Sequence, residues 1–392
     1  MIHAVSGICP VEHLGAGRMI RWLEMQKHSD PNWRLCYATN KSGVSACLRN
    51  RRWADFPAEV LRHFARRASL YQNLGALSEE KNLLLMHFQE IGFDWCSRLL
   101  SQRKCRRPVW FFLFDSSFFC IKSYNYISGE TRECLRCLGG DFLQASTFGC
   151  QSYPRKSSCA SRFLMELQLH AQERRVAFFA QNEVQKNLAM RHFGPNAIVR
   201  NCGIWLDDFD ALTNNLKQFQ VVDDERGEFD VVFHAAPTEA KGFYWALEVA
   251  RNSPGIRYLF PCSRPKIGSI PANCEFRNMR WDTGLRLEIC RAPIVLLPSL
   301  WSAPIEGALI KTVLLAKRTA VVGLDSAYSS ELGDSLLLYL DKCPKNAADM
   351  LMKALSQNLS VSSDLKNRWL ESIRANRNFL HRIEQAVLTE DD

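Results

Sequence analysis

The chain has 392 residues, 47% of them hydrophobic and 23% charged. That length exceeds one typical core and the composition is that of folded protein, which excludes extensive disorder and predicts two α/β domains. A formal charge of +9 favours anionic partners without choosing among nucleotide sugars, anionic lipid and nucleic acid.

Residues 2–6 form a short apolar run that leads into Gly7, and Gly15-Ala16-Gly17-Arg18 precedes a helical pattern through Trp22 and Leu23. Strand, glycine turn and helix suit an anion, because glycine lets backbone N–H groups approach it closely; a plain β–α turn is the alternative. Residues 34–38 read as a second strand. Residues 57–71 read as a helix with Val60, Leu61, Phe64 and Ala68 on one face and Arg62, Arg66 and Arg67 on its polar side. With Arg49, Arg51, Arg52, Arg103, Lys104, Arg106 and Arg107 nearby in sequence, this half presents either a surface for anionic lipid headgroups or a solvated basic face. No RNA- or DNA-reading motif accompanies the charge, so a nucleic-acid partner is not expected.

Strands over 82–88 and 109–114 deliver His87 and Asp115 to their carboxyl ends, the edge that lines ligand crevices in open α/β sheets. Asp115 either orients a hydroxyl there or caps the next segment. The window 109–121 is the most hydrophobic, but Asp115, Ser116 and Ser117 interrupt it and it is too short to cross a bilayer. Cys120, Cys134, Cys137 and Cys150 follow. They predict either a structural zinc site or thiols that bind no metal, and Cys134-Leu135-Arg136-Cys137 is the one C-x-x-C in the chain. Fifteen cysteines scattered through apolar runs, with no basic segment ahead of a long apolar N-terminal core, point to reduced thiols in a cytoplasm.

A helix over 161–172, a strand over 175–180, a helical stretch from Asn182 and a strand over 197–201 lead to Gly203-Ile204 and a polar linker near 207–228. A strand over 229–234 then opens the second half, and Lys241-Gly242-Phe243 heads a helix through Ala250. An ammonium at a helix N-terminus suits a diphosphate. Residues 257–260 form a strand ending near Arg264, a further phosphate ligand candidate. An apolar run to Leu297 enters the loop Pro298-Ser299-Leu300-Trp301, a helix opens at Pro304, and a second apolar run over 319–323 completes a βαβ unit. A short strand over 335–340 and helices over 346–355 and from 365 toward 387 close the chain.

Lys241-Gly242-Phe243, the stretch from Pro298 to Lys311, Gly203-Ile204 and Asp115 resemble the GT-B glycosyltransferases, in particular the large retaining family 4. The resemblance implies an α/β GT-B architecture of two Rossmann-like domains with a cleft between them. Residues 1–206 would be the acceptor domain, with a cysteine-bearing insertion at about 116–160, and 207–364 the nucleotide-sugar donor domain. A helix over 365–392 would pack back on the first. The implied activity is transfer of a sugar from a nucleotide-diphosphate donor to a glycan or lipid-linked acceptor in surface polysaccharide synthesis, at the inner face of the membrane and without a required metal. Asp115, Lys241 and Glu306 are the implied catalytic residues. Gly15, Gly17, Lys241, Arg264, Ser299, Trp301, Glu306, Gly307 and Lys311 are the implied donor ligands.

The departures are specific. Aligned on Trp301, the family's two glutamates fall on Ala303 and Lys311, with Glu306 between, and the family's His-Asp pair is Phe114-Asp115 here. Two other readings therefore stand beside the transferase: a nucleotide-sugar epimerase of the same fold, and a catalytically degenerate binding subunit.

Overall fold

The computed structural model describes residues 1–10, 15–27, 32–38, 44, 47–48, 51, 53–154, 157–203, 227–266, 269–304, 306–357, 360–375 and 379–389. The chain divides into two compact units. One comprises Met1–Ser123, Leu135–Asp207 and Arg377–Asp392, and the other Tyr124–Cys134 and Asp208–Asn376. The expected linker, apart from Gly227 and Glu228, lies outside the described residues, as do Arg49, Arg52, Ile204 and the residues 11–14 ahead of Gly15.

In the first unit six strands run β1 (Ile2–Ser6), β2 (Trp33–Tyr37), β3 (Leu83–Met86), β4 (Val109–Phe112), β5 (Val176–Ala180) and β6 (Ile198–Asn201). They pair in parallel in the order β2-β1-β3-β4-β5-β6. Strands β3, β4 and β5 are buried on both faces, which is why they read as unbroken apolar runs instead of alternating ones. Trp110 stacks on Phe179 at 4.2 Å on one side of the sheet and Phe178 on Phe193 at 4.1 Å on the other. Helices α1 (Gly15–Lys27), α2 (Phe56–Gln72), α3 (Phe88–Ile91), α4 (Phe93–Ser101), α5 (Ala160–Gln172) and α6 (Glu183–Phe193) accompany the strands.

Helix α2 forms where the sequence places it, with Pro57 in its first turn, but its apolar stripe does not enter the core. Leu70 is its buried residue, whereas Leu61 is 69% and Phe64 63% exposed.

The second unit repeats the design with β7 (Val231–Phe233), β8 (Tyr258–Phe260), β9 (Cys274–Phe276), β10 (Ile294–Leu297), β11 (Arg318–Val322) and β12 (Leu337–Leu340). All pairings are parallel and the order is β12-β11-β10-β7-β8-β9. Its helices include α7 (Phe243–Asn252), α8 (Gly307–Leu315), α9 (Pro344–Ser356) and α10 (Ser363–Ala375). Side-chain hydrogen bonds tie the segment Tyr124–Cys134 into this unit. Asn125 Nδ2 donates to Ser302 Oγ at 2.8 Å, Ser128 Oγ to Glu239 Oε1 at 2.9 Å, and Ser326 Oγ to Glu133 Oε1 at 2.8 Å.

The tail predicted as one helix from 365 is two. The second, α11 (Phe379–Thr389), belongs to the first unit, where Phe379, Ile383 and Val387 pack in one cluster with Ile2, Trp33 and Phe112. Trp33 Nε1 donates to Glu384 Oε1 at 2.5 Å, fixing its register.

Candidate functional site

The strand order of the second unit reverses between β7 and β10, so the chain leaves these two neighbours in opposite directions. At such a switch point the loops after the two strands diverge and leave a crevice beyond the carboxyl edge. The loop after β7 carries Lys241 and the loop after β10 carries Pro298 to Glu306.

Backbone contacts hold the two loops together. Leu300 N–H donates to the Ala240 carbonyl at 2.9 Å. Gly242 sits at φ +71°, and a Cβ there would stand 1.9 Å from the Pro298 carbonyl oxygen. Only glycine accepts both that backbone conformation and that approach.

Lys241 and Glu306 meet as an ion pair with side chains 15% and 9% exposed. Ser299 Oγ donates to the same carboxylate oxygen, Oε1, at 2.7 Å. Glu306 Oε2 therefore stays available to accept from a ligand. The Lys241 ammonium also lies 5.0 Å from the Trp301 ring centre and 5.6 Å from that of Tyr124, and those two rings are 4.3 Å apart. Two aromatic faces beside a cation hold it in place without consuming its N–H donors. Helix α8 starts at Gly307, not at Pro304 as the sequence suggests. Glu306 is its N-cap residue, but its side chain makes no cap bond and turns to Lys241 and Ser299 instead.

Lys311 is buried, not solvated. Its ammonium lies 4.8 Å from the Trp281 ring centre, and Trp281 stacks on His234 at 5.7 Å. His234 Nδ1 is 2.6 Å from Thr312 Oγ1, and burial, with the Lys311 charge adding to it, pushes its pKa down to about 3. The imidazole is neutral at physiological pH. Trp301 and Ala303 pack into the core of this unit, so Ala303 is a packing residue. Arg264 stands exposed in the segment after β8.

The first unit holds the remaining expected residues. Gly15 and Gly17 open α1. Asp115 follows β4 and is 8% exposed; its Oδ1 accepts from Ser117 N–H at 2.9 Å and its Oδ2 from Gln89 Nε2 at 3.2 Å. Burial raises its pKa to about 6 against the opposing effect of those bonds. At the place where the resemblance expects a histidine, Phe114 stacks at 4.0 Å on His87, which the adjacent strand delivers in a left-handed conformation at φ +51°.

The four-cysteine zinc site is not formed. Among the described residues no three His, Cys, Asp or Glu side chains are grouped to hold a metal ion. Cys120, Cys137 and Cys150 pack half-buried against the apolar core of the first unit, while Cys134 belongs to the other unit.

Tyr124, Trp281 and His87 escaped sequence reasoning as partners of these groups. Their neighbours are 177, 47 and 27 positions away or come from another strand, and no local spacing signals them.

No family model matches the chain, and no curated protein matches its sequence. Solved structures do match. HepE of Anabaena in complex with UDP-glucose superposes with a TM-score of 0.57 at 11% identity, over 98% of this chain and 100% of that one. A UDP-forming α,α-trehalose-phosphate synthase from Burkholderia xenovorans gives 0.55 at 11%, over 99% of each. WaaG, a glycosyltransferase involved in lipopolysaccharide biosynthesis, gives 0.55 at 12%, over 99% and 100%. At these identities the likeness is one of fold: the chain has the GT-B fold, with two Rossmann-like domains built on its two six-stranded parallel sheets.

Proposed function

We propose that the chain is a glycosyltransferase that takes a nucleotide-diphosphate sugar on its second unit and transfers the sugar to a hydroxyl. The observation that carries the reading is the meeting of Lys241 and Glu306 at the switch point between β7 and β10, beside the N-termini of α7 and α8. The two helix ends and an ammonium favour the charge that grows on a departing diphosphate. An ammonium has three donors, so Lys241 can keep Glu306 while donating to a phosphate oxygen. Glu306 Oε2 is then the acceptor for a ribose or sugar hydroxyl, with Ser299 and Gly307 beside it.

In a retaining transfer the acceptor attacks the face from which the diphosphate leaves. Stabilising the leaving group and positioning the acceptor then matter more than a strong base. Asp115 is the candidate for orienting the acceptor hydroxyl. Peripheral contact with anionic lipid, which would suit a lipid-linked acceptor, is supported by α2, where Leu61 and Phe64 are exposed on the helix that also carries Arg62 and Arg66, and by Trp53, exposed in the turn before it.

The test is incubation with a panel of nucleotide-diphosphate sugars, beginning with UDP-glucose, while released nucleoside diphosphate is measured. Release that Lys241→Ala abolishes supports the transferase. Inversion at a sugar carbon would instead mean an epimerase, binding without turnover a degenerate subunit, and neither binding nor release would refute the placement of the donor.

A further inference from the structure

The excursion Tyr124–Cys134 comes from the front half of the chain yet folds with the second unit. Asn125 anchors it and is fully buried. An amide side chain offers an acceptor oxygen and two hydrogens. Here Oδ1 accepts from Ser302 N–H at 3.0 Å, while Nδ2 donates to Ser302 Oγ at 2.8 Å and to the Cys134 carbonyl at 3.1 Å. Ser302 Oγ in turn meets Ser326 Oγ at 2.7 Å, and Ser326 donates to Glu133 Oε1 at 2.8 Å. Because the Ser326 proton goes to the carboxylate, the Ser302 proton goes to Ser326. The hydrogen bonds thus leave the excursion at Asn125, pass through Ser302 and return to it at Glu133.

Ser302 lies in the loop between β10 and α8, outside any strand or helix. Such a loop keeps one shape when side chains satisfy its buried polar groups. The neighbouring residues carry the consequence. Tyr124 precedes Asn125 and Trp301 precedes Ser302, so docking the second pair brings the first together, with ring centres 4.3 Å apart. The Lys241 ammonium lies 5.6 Å and 5.0 Å from those two centres, and a cation follows the ring faces that attract it. We propose that Asn125 is a positioning residue for the donor site: through Ser302 it holds Tyr124 and Trp301 against Lys241, and so fixes where the ammonium meets the diphosphate. Asn125 itself, sealed from solvent, touches no ligand. The inference rests on the transferase reading only in naming the diphosphate.

The test compares Asn125→Ala and the milder Ser302→Ala with the parent, all as full chains. The Lys241 side-chain protons, observed by NMR of lysine-labelled protein, lie beside two aromatic rings and carry a ring-current shift with or without nucleotide. Both variants keep the rings but should move that shift toward the value of free lysine. Both should also weaken UDP binding about tenfold by calorimetry. With Lys241→Ala already present the further loss should be less than about twofold, because the effect travels through the ammonium. Tyr124→Phe keeps the ring and should bind UDP as the parent does. Tyr124→Leu, at a side chain 40% exposed, should show the same loss as Asn125→Ala and serves if the buried variants fail to fold. An unmoved Lys241 shift, full UDP affinity in Tyr124→Leu, or losses that add to that of Lys241→Ala would overturn the proposal. If the parent binds no UDP, or Lys241→Ala leaves binding unchanged, the transferase reading fails, and the Lys241 shift alone decides this inference.

Discussion

Asp115 gives the most quantitative expectation. Its carboxyl has a pKa of about 6, raised from 3.8 chiefly by burial. A shift of that size is worth about 3 kcal/mol, because each pKa step is about 1.4 kcal/mol. Between pH 4 and 6 the folded chain binds the proton more tightly than the unfolded chain does, so stability falls as pH rises through that window. Above about pH 7 the whole cost of holding a buried carboxylate is present. Asp115→Asn keeps the shape and carries no charge, and a flipped Gln89 amide could then accept from the new amide. The variant should be more stable than the parent by up to about 3 kcal/mol at pH 8, and by less than about 1 kcal/mol at pH 4. Paired urea titrations at the two pH values measure this, and the carboxyl ¹³C shift of Asp115 reports its pKa directly. An advantage independent of pH, or a titration midpoint near 4, would refute the account of its environment.

Lys241→Met leaves Glu306 buried with only Ser299. It should cost about 3 kcal/mol of stability, largely recovered when Glu306→Gln is added, as a double-mutant cycle by urea unfolding would show. The same single variant should weaken UDP binding at least about tenfold by calorimetry. Gly242→Ala forces a Cβ against the Pro298 carbonyl in a left-handed conformation. It should destabilise the chain by about 2 kcal/mol or more and reduce nucleotide binding with it. Replacing Leu61 and Phe64 by Ser should change stability by less than about 0.5 kcal/mol each, while reducing co-sedimentation with vesicles containing phosphatidylserine. Prolonged treatment with EDTA should leave the melting temperature unchanged, whereas Cys137→Ser should lower stability by about 1 kcal/mol through a poorer fit to the core.

Much of the fold was legible because the inner strands are buried on both faces. Leu83–Met86, Val109–Phe112 and Ile294–Leu297 announce themselves as apolar runs of strand length. Strand β9 left no such mark, since Cys274–Phe276 has three residues, all incompletely buried. Pro304 imitates a first-turn proline and so predicts α8 three residues too early, whereas the helix starts at Gly307. Lys241 and Glu306 were readable as separate motifs, but their ion pair was not: it depends on β7 and β10 being neighbours, a property of strand order that no local pattern encodes. The stripe on α2 misled for a related reason, since periodicity shows that a face is apolar and not what covers it.

The route of the backbone has a practical consequence. Each half borrows a piece of polypeptide from the other's stretch of the gene: Tyr124–Cys134 completes the second half, and Arg377–Asp392 completes the first. A single cut near residue 207 would therefore strip Glu133 from Ser326 in one fragment and Glu384 from Trp33 in the other. Neither recombinant piece would be whole. Splitting this protein for separate study requires grafting the closing helix onto the front piece and supplying the eleven-residue excursion in trans to the rear one.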